Sequence, residues 1–353
     1  MELNAGIPRV SIIILNWNGC RDTVECLESL YQISYPYYDV ILVDNGSKDG
    51  SLESIEKYAE GHMAVDSKFF EFSGDNKPIE VLECTKGGSE TGALPGAAFA
   101  ALSANKKMVL IKNDKNYGFA EGCNIGIRYA FAALQPEYIL LLNNDTVVKN
   151  DFLNELVKAI SSSETIGFAG PIVYYYNYEG RTDVISAAGI DLDKRKSADH
   201  RIGYKEVDRG QYNAVRNVDY LEGSCLLIAR VVLDKVGLLD SGYFAYWEEA
   251  DLCVRGFDAG YKCVCVPTAK IWHKISSSVT RGVKLYYMTR NRFRFLKDHA
   301  TRQEFYSFLI YFFIHQFLIN IGVYLRRRDS ESLYAFLRGV LHGLLPKGRF
   351  GTP

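Results

Sequence analysis

Short apolar runs that alternate with helical stretches constrain the fold of this chain more than any other feature. The runs are residues 10–15, 38–43, 108–111 and 138–142. Residues 10–15 form a continuous, largely β-branched run, as expected for a parallel strand buried on both faces. Helices are predicted over residues 21–31, 52–58, 124–134 and 151–161. The strand–helix order predicts an α/β fold with a parallel sheet and crossover helices.

Other parts of the chain follow this pattern less closely. Residues 61–107 form a predicted irregular insertion with one short strand near residues 79–83, and residues 166–217 are predicted to be short strands and turns. Strands are expected again at residues 220–228 and 262–266, and helices at 231–236 and 250–259. From residue 284 the tail is predicted to be helical.

Composition excludes some functional classes. The chain has 353 residues, of which 48% are hydrophobic and 24% charged, as is usual for globular proteins. A net charge of -1 gives no argument for nucleic acid as a partner. The eight cysteines form no C-x-x-C pair, which indicates buried thiols in a reducing compartment. Because residues 10–15 are too short for a signal-peptide core, we expect a cytoplasmic protein.

Polar clusters follow three of the predicted strands. In open parallel sheets, ligands bind beyond the carboxyl ends of the strands. Asp44 could accept the N3–H of uracil or thymine there, although it could also cap the next helix. Asp145 with neutral oxygen ligands suits a hard divalent cation, although Asn-Asn-Asp is also typical of turns. The three clusters are Asn16-Trp17-Asn18, Asp44 to Ser47, and Asn143-Asn144-Asp145.

An acidic cluster and a histidine lie further along the chain. Glu248, Glu249 and Asp251 have aromatic and apolar neighbours, which raise the pKa of a carboxyl group toward that of a useful base. The alternative is an acid-rich helix N-terminus, which the helix dipole favours. His273 follows a predicted strand and is a candidate ligand for manganese or magnesium beside Asp145, although lone histidines are more often structural.

Taken together, these segments resemble the family 2 inverting glycosyltransferases of the GT-A fold, especially the rhamnosyltransferase-like and galactofuranosyltransferase-like members. The resemblance covers most of residues 8–295. The matching stretches are residues 10–19, 43–51, 116–124, 142–146, 246–255, 271–273 and 287–292.

The resemblance implies a Rossmann-like, mostly parallel sheet with flanking helices, followed by a helical tail. Residues 1–280 would form the GT-A domain. Its nucleotide-binding half would be residues 8–145, with the insertion at about 61–107, and its acceptor half residues 146–280. Residues 281–353 would form a helical region close to the membrane.

The resemblance also implies roles for individual residues. The metal, Mn²⁺ or Mg²⁺, would be held by Asp145 and His273. Glu249 would be the catalytic base, with Glu248 and Asp251 close by, and Trp247 and Trp272 would line the acceptor side. The nucleotide-sugar would be bound by Asn16, Asp44, Asn116, Gly118, Asn143 and Asn144.

Two residues depart from the family pattern. Asn143 stands where an aspartate opens the D-x-D metal motif, which removes one of the two acidic ligands. Glu249 replaces the more usual aspartate base, which leaves the choice between Glu248 and Glu249 open.

The implied reaction is a single displacement that moves a sugar, with rhamnose expected, from a UDP- or dTDP-sugar to a glycan or lipid-linked acceptor, as in the synthesis of cell-surface polysaccharides. A dinucleotide-dependent oxidoreductase is disfavoured because the first turn lacks G-x-G-x-x-G. A nucleotidyltransferase is also disfavoured, because it would carry a Gly-rich basic loop after the first strand and this chain has none there. A catalytically decayed GT-A protein that acts as a glycan-binding or scaffold module is the remaining alternative.

The tail carries a further prediction. Residues 305–325 are dominated by apolar and aromatic side chains, and Arg326, Arg327 and Arg328 follow directly. His315, Gln316 and Asn320 make a lipid-exposed crossing of the bilayer less favourable. We therefore expect an interfacial helix over residues 305–328 on the inner face of the cell membrane, with arginines against anionic headgroups. A helix packed on the catalytic domain or in a homodimer interface is the alternative.

Overall fold

The computed structural model describes residues 6–90, 96–275 and 280–345. Residues 91–95 of the predicted insertion and the last eight residues of the tail lie outside these ranges. Nine strands form a continuous sheet in the order β11-β13-β7-β12-β5-β1-β2-β4-β3, and β6 and β8 pair with β13 and β7. The described strands are β1 (Val10–Asn16), β2 (Tyr38–Asp44), β3 (Glu80–Thr85), β4 (Lys107–Lys112), β5 (Tyr138–Asn143), β6 (Thr146–Val148), β7 (Ile166–Tyr175), β8 (Ile185–Ala187), β9 (Ile190–Asp193), β10 (Ala198–Arg201), β11 (Arg216–Val218), β12 (Cys225–Ala229) and β13 (Lys262–His273).

Helices cover both faces of this sheet, as the sequence predicts for an α/β fold. The described helices are α1 (Cys20–Tyr31), α2 (Ser51–Glu60), α3 (Lys86–Glu90), α4 (Ala97–Ala101), α5 (Phe119–Tyr129), α6 (Phe152–Ile160), α7 (Arg230–Val236), α8 (Glu248–Asp258), α9 (Arg281–His299), α10 (Arg302–Tyr311), α11 (Leu318–Arg326) and α12 (Ser330–Leu344).

The side chains of β1 divide the interior into two cores. Ile13 packs in the core shared with α5 and α8, whereas Ile12 and Ile14 pack in the core shared with α1 and α6. All three residues are fully buried. A strand that is buried on both faces has no polar alternation, which explains the continuous apolar run in the sequence.

The register of the parallel strands brings the polar clusters to one edge. β1 pairs in parallel with both β2 and β5, with Asn16 opposite Asp44 and Leu15 opposite Asn143. The prediction that these clusters share the carboxyl edge of the sheet is therefore confirmed.

Four predicted segments differ from the structure. The region expected to be short strands begins with the ten-residue β7, and the strand expected over residues 220–228 begins only at Cys225. The insertion contains helices α3 and α4 besides its predicted strand β3, which pairs in parallel with β4 at the sheet edge. β13 extends to His273 because it pairs along β7 and β6. Pairing between β7, β13 and β6 lengthens β7 and β13, and no local pattern reports it.

α5 begins five residues earlier than predicted. The turn before it ends at Gly118, whose φ of 84° is favourable for glycine, and Phe119 opens the helix. The backbone N–H groups of Phe119 and Ala120 donate to the carbonyl of Phe244 at 2.5 and 3.2 Å. A carbonyl from a distant loop thus satisfies the first N–H groups of this helix.

The predicted C-terminal helical region is present. α9 packs against α12, and α10 continues through a π-helical turn (Phe312–Phe317) into α11. The resulting helix, Arg302–Arg326, has 25 residues and is long and apolar enough to cross a membrane. Only 17% of its most apolar window is buried in the protein.

Candidate active site

The side chain of Asn16 ties the carboxyl ends of the central strands together. Its Nδ2 donates to Asp44 Oδ1 at 2.8 Å and to Ser47 Oγ at 3.1 Å. Its Oδ1 accepts hydrogen bonds from Thr23 Oγ1 at 2.9 Å and from Asn144 Nδ2 at 3.2 Å. Asn16 is fully buried, so it positions its neighbours from behind the edge. Its predicted contact with the donor is thus replaced by an indirect one, and the side-chain amide of Asn144 points into the same network.

Asp44 lies where the sequence predicts it, at the end of β2. Its second oxygen, Oδ2, accepts a hydrogen bond from the backbone N–H of Ser47 at 3.0 Å. α2 starts only after Gly50, so Asp44 is not the cap of that helix. The residue is 1% exposed, but each carboxylate oxygen keeps a lone pair that could accept a further hydrogen bond. Its role in recognising the base stays a prediction.

Asn116 and Gly118 connect the carboxyl edge of the sheet to the distant loop that contains Phe244. Asn116 Oδ1 accepts hydrogen bonds from Asn45 Nδ2 at 2.9 Å and from the N–H of Gly118 at 2.8 Å. A Cβ atom on Gly118 would lie 2.6 Å from the carbonyl oxygen of Phe244. Close backbone approach therefore requires glycine here, and both residues position structure around the site.

The 243–247 loop, which leads into α8, has a strained backbone. Phe244, Tyr246 and Trp247 have φ values of 68°, 69° and 77°, in the left-handed region that bulky residues avoid. Each such residue costs on the order of 1–3 kcal/mol, and strain of this kind clusters at functional sites. Glu248 and Glu249 follow directly as the first residues of α8.

Asn291, on α9, holds this loop in place. Its Nδ2 lies 3.0, 2.8 and 2.8 Å from the carbonyl oxygens of Tyr243, Ala245 and Tyr246. Arg290 donates to the carbonyl of Tyr243 at 2.8 Å as well. No local sequence feature indicates this role of Asn291. The only signal was its place in the matching stretch 287–292.

A cavity of 280 Å³ opens at this point, lined on one side by Glu248 and Glu249 and on the other by Asn143, Glu222 and His273. Asn143 Oδ1, Glu248 Oε2 and Glu249 Oε2 are buried polar atoms without a hydrogen-bond partner. Proteins pair nearly all such atoms, so a group of unpaired ones indicates the place of a ligand.

The two adjacent glutamates differ in environment. Burial is the largest cause that raises the pKa of Glu249, to about 7, and the charges of Asp199 and Glu222 act in the same direction. Glu248 is only 4% exposed, and burial together with the charge of Glu249 raises its pKa well above the usual value. Glu249 is the more accessible of the two, and its pKa suits a general base at neutral pH.

Asp251 does not join the cavity. Its carboxylate forms an ion pair with Arg255 at 2.8 Å and a hydrogen bond with His299 Nε2 at 2.7 Å. Although burial opposes its ionisation, these partners lower the pKa of Asp251. Because it lies two residues after Glu249 on the same helix, Asp251 faces the tail, and its predicted place near the reaction is corrected.

The two tryptophans also lie away from the catalytic cavity. Trp272 precedes His273 on β13 and points to the opposite face, where it packs on Phe69 and donates its Nε1–H to the carbonyl of Thr182. Trp247 packs on Phe295 and lines a second cavity next to the tail. Alternation along the strand excludes Trp272 from the predicted acceptor side.

His273 and Asp145 are brought together as the sequence predicts. His273 Nε2 lies 3.1 Å from Asp145 Oδ1, and Nδ1 lies 2.9 Å from Glu222 Oε1. Glu222 also pairs with Arg201 at 2.9 Å. Burial disfavours the charged form of His273, but the charge of Asp145 and hydrogen bonds to both carboxylates raise its pKa to about 10. Burial likewise opposes ionisation of Glu222, whereas His273 and Arg201 lower its pKa to about 2.

These residues fit a divalent cation. Two ligand atoms in adjacent octahedral positions around Mg²⁺ lie about 3 Å apart, as His273 Nε2 and Asp145 Oδ1 do. Glu222 holds the other ring nitrogen, the arrangement in which a carboxylate orients a metal-binding histidine. In the described residues no three His, Cys, Asp or Glu side chains cluster as a complete ligand set. The unpaired Asn143 Oδ1 and phosphate oxygens would have to complete the shell. Sequence reasoning missed Glu222, which only the fold brings to His273.

Together, the mixed sheet, the polar carboxyl edge and the adjoining cavity define a glycosyltransferase of the GT-A fold. The family model described as glycosyl transferase family 2 matches residues 11–94 and 84–224. The matched residues make up more than half of the chain, which therefore belongs to this family.

Individual relatives agree with this assignment. The dTDP-rhamnosyl transferase RfbF of Shigella flexneri is 24% identical over 254 residues, covering 67% of this chain and 81% of that protein. The N-acetylglucosaminyl-diphospho-decaprenol L-rhamnosyltransferase of Mycobacterium tuberculosis (strain H37Rv) is 42% identical over 66 residues, covering 19% of this chain and 22% of that protein. This chain spans 45% and 28% of the lengths of two other curated relatives.

A solved structure shows the same fold. The mannosyltransferase PcManGT from Pyrobaculum calidifontis, in complex with GDP-Man and Mn²⁺, matches 95% of this chain and 86% of its own with a TM-score of 0.51. The sequence identity is 13%, so the likeness extends to the fold alone.

The role of Asn291 leads to a first prediction. In Asn291→Ala, the carbonyl groups of Ala245 and Tyr246 lose the Asn291 donor, while that of Tyr243 keeps its bond from Arg290. The cost is about 2 kcal/mol. We expect a lower melting temperature and a loss of sugar transfer of about 100-fold, while nucleotide binding changes little. Calorimetric melting, nucleotide titration and turnover measure these effects.

Asn154→Ala is the matched control, because the Asn154 amide donates to Ser34 Oγ at the surface. It should leave turnover unchanged. Wild-type turnover in Asn291→Ala would contradict the role assigned to Asn291.

Proposed function

We propose that this chain is an inverting rhamnosyltransferase that uses dTDP-rhamnose and a lipid-linked sugar acceptor at the cytoplasmic face of the cell membrane. The observation that carries the proposal is the unpaired carboxylate oxygen Oε2 of Glu249, in a residue that lines the same cavity as Asn143 and His273. The descriptions of the Shigella and Mycobacterium relatives support the donor and the lipid-linked acceptor.

The proposed reaction is a single displacement with Glu249 as general base. Glu249 takes the proton of an acceptor hydroxyl, and that oxygen forms a bond to the anomeric carbon of the donor sugar. The bond from the anomeric carbon to the diphosphate oxygen breaks at the same time, and the nucleoside diphosphate leaves with the electron pair. Attack on the face opposite the leaving group inverts the anomeric configuration.

Asp145 and His273 would hold a divalent cation, with Asn143 Oδ1 as a further oxygen ligand. When bound, the cation would neutralise negative charge on the diphosphate. Glu222 would keep Nε2 of His273 available by holding Nδ1. The Mn²⁺ in the Pyrobaculum complex supports a metal in this chain.

Asp44 would accept the N3–H of the thymine or uracil base. Its position opposite Asn16 at the sheet edge and its orientation by two hydrogen bonds support this role. A decayed protein that only binds glycans is less consistent with the site, because Asp44, Asp145 and His273 lie at strand ends and Glu249 lines the adjoining cavity.

The role of Glu249 is tested by paired substitutions. Glu249→Gln should lower the rate of transfer from dTDP-rhamnose by about 100-fold or more, because general base catalysis contributes this much. Glu248→Gln should retain most activity. A pKa of about 7 for Glu249 means that the base is ionised above neutral pH. In the wild type, kcat/KM should therefore rise through pH 7.

A wild-type rate in Glu249→Gln together with an inactive Glu248→Gln would move the base by one residue. Thymidine diphosphate release at each pH, measured with purified protein, distinguishes these outcomes.

The donor and metal sites are tested by thermal shift. A ligand that binds only the native state raises the melting temperature. Among UDP- and dTDP-sugars, dTDP-rhamnose should give the largest shift, and Mn²⁺ should enlarge it. Asp44→Ala should reduce the shift with or without metal, whereas Asp145→Asn should remove only the part that Mn²⁺ adds. An undiminished shift in Asp145→Asn with Mn²⁺ would refute the metal site.

The membrane contact is proposed from the exposed side chains of the tail helix. Ile310, Ile314 and Leu318 are 62%, 60% and 64% exposed, and Leu341 on α12 is 55% exposed on the neighbouring helix. A contiguous apolar face of this kind marks a protein or membrane contact. The exposed arginines at 326–328 follow it and would bind anionic headgroups.

Liposome sedimentation tests this contact. The full chain should bind vesicles containing phosphatidylglycerol, and Ile314→Asp with Leu318→Asp should lose binding because two charges would enter the lipid. Phe257→Asp, which changes a residue that is 69% exposed on α8, is the control and should bind normally. If the full chain ignores these vesicles and sediments as a dimer, the apolar face is a homodimer interface.

A further inference from the structure

A second cavity lies between the catalytic domain and the C-terminal helices. Its volume is 280 Å³, and Trp247, Arg292 and Asn320 line it from the 243–247 loop, α9 and α11. Ser197, in the turn between β9 and β10, lies on another side. Because Trp247 is two residues before Glu249, this cavity and the catalytic cavity adjoin the same loop.

Three hydrogen-bond donors around this cavity lack a partner. Trp247 Nε1, Arg292 Nε and Ser197 Oγ are buried and form no hydrogen bond. They belong to three separate elements, yet all three residues line the same cavity. Since native proteins pair nearly all buried polar groups, their convergence indicates a ligand that accepts hydrogen bonds.

The charge of Arg292 indicates an anion. Its two terminal nitrogens donate to the side-chain oxygen of Gln316 at 2.5 Å and to the carbonyl of Lys196 at 2.6 Å, and both acceptors are neutral. In the described part of the chain Arg292 forms no ion pair. Burial lowers the pKa of Arg292 to about 10, although the charge of Asp199 opposes this shift.

Asp199 is the one carboxylate among the described residues that line the cavity. Loss of hydration raises its pKa, although a hydrogen bond from Tyr220 and the charges of Arg201 and Arg292 oppose this shift. The lining therefore offers more donors and positive charge than it offers acceptors.

The helix Arg302–Arg326 forms one wall of the cavity and has two different sides. Phe312, Asn320 and Tyr324 line the cavity from its inner side, whereas Ile314 and Leu318 are exposed on its outer side. A ligand with an anionic head and an apolar tail would match both sides, the head inside and the tail along the exposed face. The volume corresponds to roughly nine water molecules, which is larger than a single phosphate and suits a diphosphate.

We propose that this cavity binds the diphosphate of a lipid-linked sugar acceptor, to which Arg292, Trp247 and Ser197 donate hydrogen bonds. The inference rests on the proposed function, since it locates the acceptor of the same reaction. The acceptor sugar would then extend past Trp247 toward Glu249, whose carboxylate takes the proton of the attacking hydroxyl. Binding of the lipid tail along α10 and α11 would keep the reacting sugar close to the membrane surface.

Calorimetric titration of the full chain in detergent micelles tests the proposal. The probes are farnesyl diphosphate, farnesol and inorganic diphosphate, with a chelator present so that no metal–diphosphate complex forms at the donor site. We expect farnesyl diphosphate to bind, farnesol not to bind, and inorganic diphosphate to bind at least about tenfold more weakly. Equal affinity for inorganic diphosphate would assign the cavity to a free anion and overturn the lipid-linked acceptor.

Matched variants locate the binding. Arg292→Gln should weaken farnesyl diphosphate binding about tenfold or more, because a charged hydrogen-bond donor is lost. Trp247→Phe removes the indole N–H together with part of the ring and should weaken binding about threefold. It tests the site independently if Arg292→Gln melts early. Arg195→Gln, an exposed arginine in the same hairpin turn, should bind normally. Asp145→Asn should also bind normally, because Asp145 lies on the donor side.

One result would overturn this inference, and another would separate it from the proposed function. If Asp145→Asn weakens binding while Arg292→Gln and Trp247→Phe do not, farnesyl diphosphate occupies the donor site and the inference is overturned. If the wild type transfers no sugar from dTDP-rhamnose, yet farnesyl diphosphate binding depends on Arg292, the proposed function fails and the lipid-diphosphate site is supported.

Discussion

The hydrogen bonds from Asn291 to the 243–247 loop connect the C-terminal helices to the loop that precedes α8. The loop holds three bulky residues in the left-handed region, a conformation that costs free energy and that isolated chains avoid. One buried amide on α9 lies within 3.0 Å of three loop carbonyls, so a helix of the tail fixes the start of α8. The position of Glu249 therefore depends on a helix that follows it by more than thirty residues. The tail is part of the framework of the catalytic cavity.

A second set of contacts lies at the carboxyl edge of the sheet. Asn16 binds Asp44, Ser47, Thr23 and Asn144 at once, and these residues come from the end of β2 and the loop after it, the start of α1 and the end of β5. A fully buried side chain with all its hydrogen bonds satisfied is a rigid support. The edge can thus present Asp44 in a fixed orientation.

Electrostatics divides the carboxylates near the catalytic cavity into two groups. Glu222 is bound to His273, and its pKa is lowered to about 2, whereas Glu249 lies among other acids, lacks a cationic hydrogen-bond partner and has a pKa raised to about 7. Carboxylates whose environments push their pKa values apart are typical of sites that separate charge stabilisation from proton transfer. On the other side of the 243–247 loop, the cavity around Arg292 has the opposite balance and offers donors and positive charge.

The sequence by itself determined the order of strands and helices in the first half, the shared edge of Asn16, Asp44 and Asn143, and the family. These features follow from local periodicity and from the rule that parallel strands end together. It could not determine the length of β13 or the helices in the insertion, because pairing with distant strands and packing decide them. Nor could it tell that Trp272 points away while His273 points inward, or that Asp251 binds His299.

Those side-chain directions depend on which face of each element the rest of the chain covers, and this is fixed only when the sheet and tail have assembled. Glu222 illustrates the limit most clearly. Nothing in its local sequence distinguishes it, and only the folding of β12 beside β5 and of β13 beside β7 brings it within 2.9 Å of His273. The types of residue available for the chemistry were determined by the sequence. Which of them meet in one cavity was decided by the tertiary structure, because contacts between residues far apart in the chain set burial, orientation and pKa.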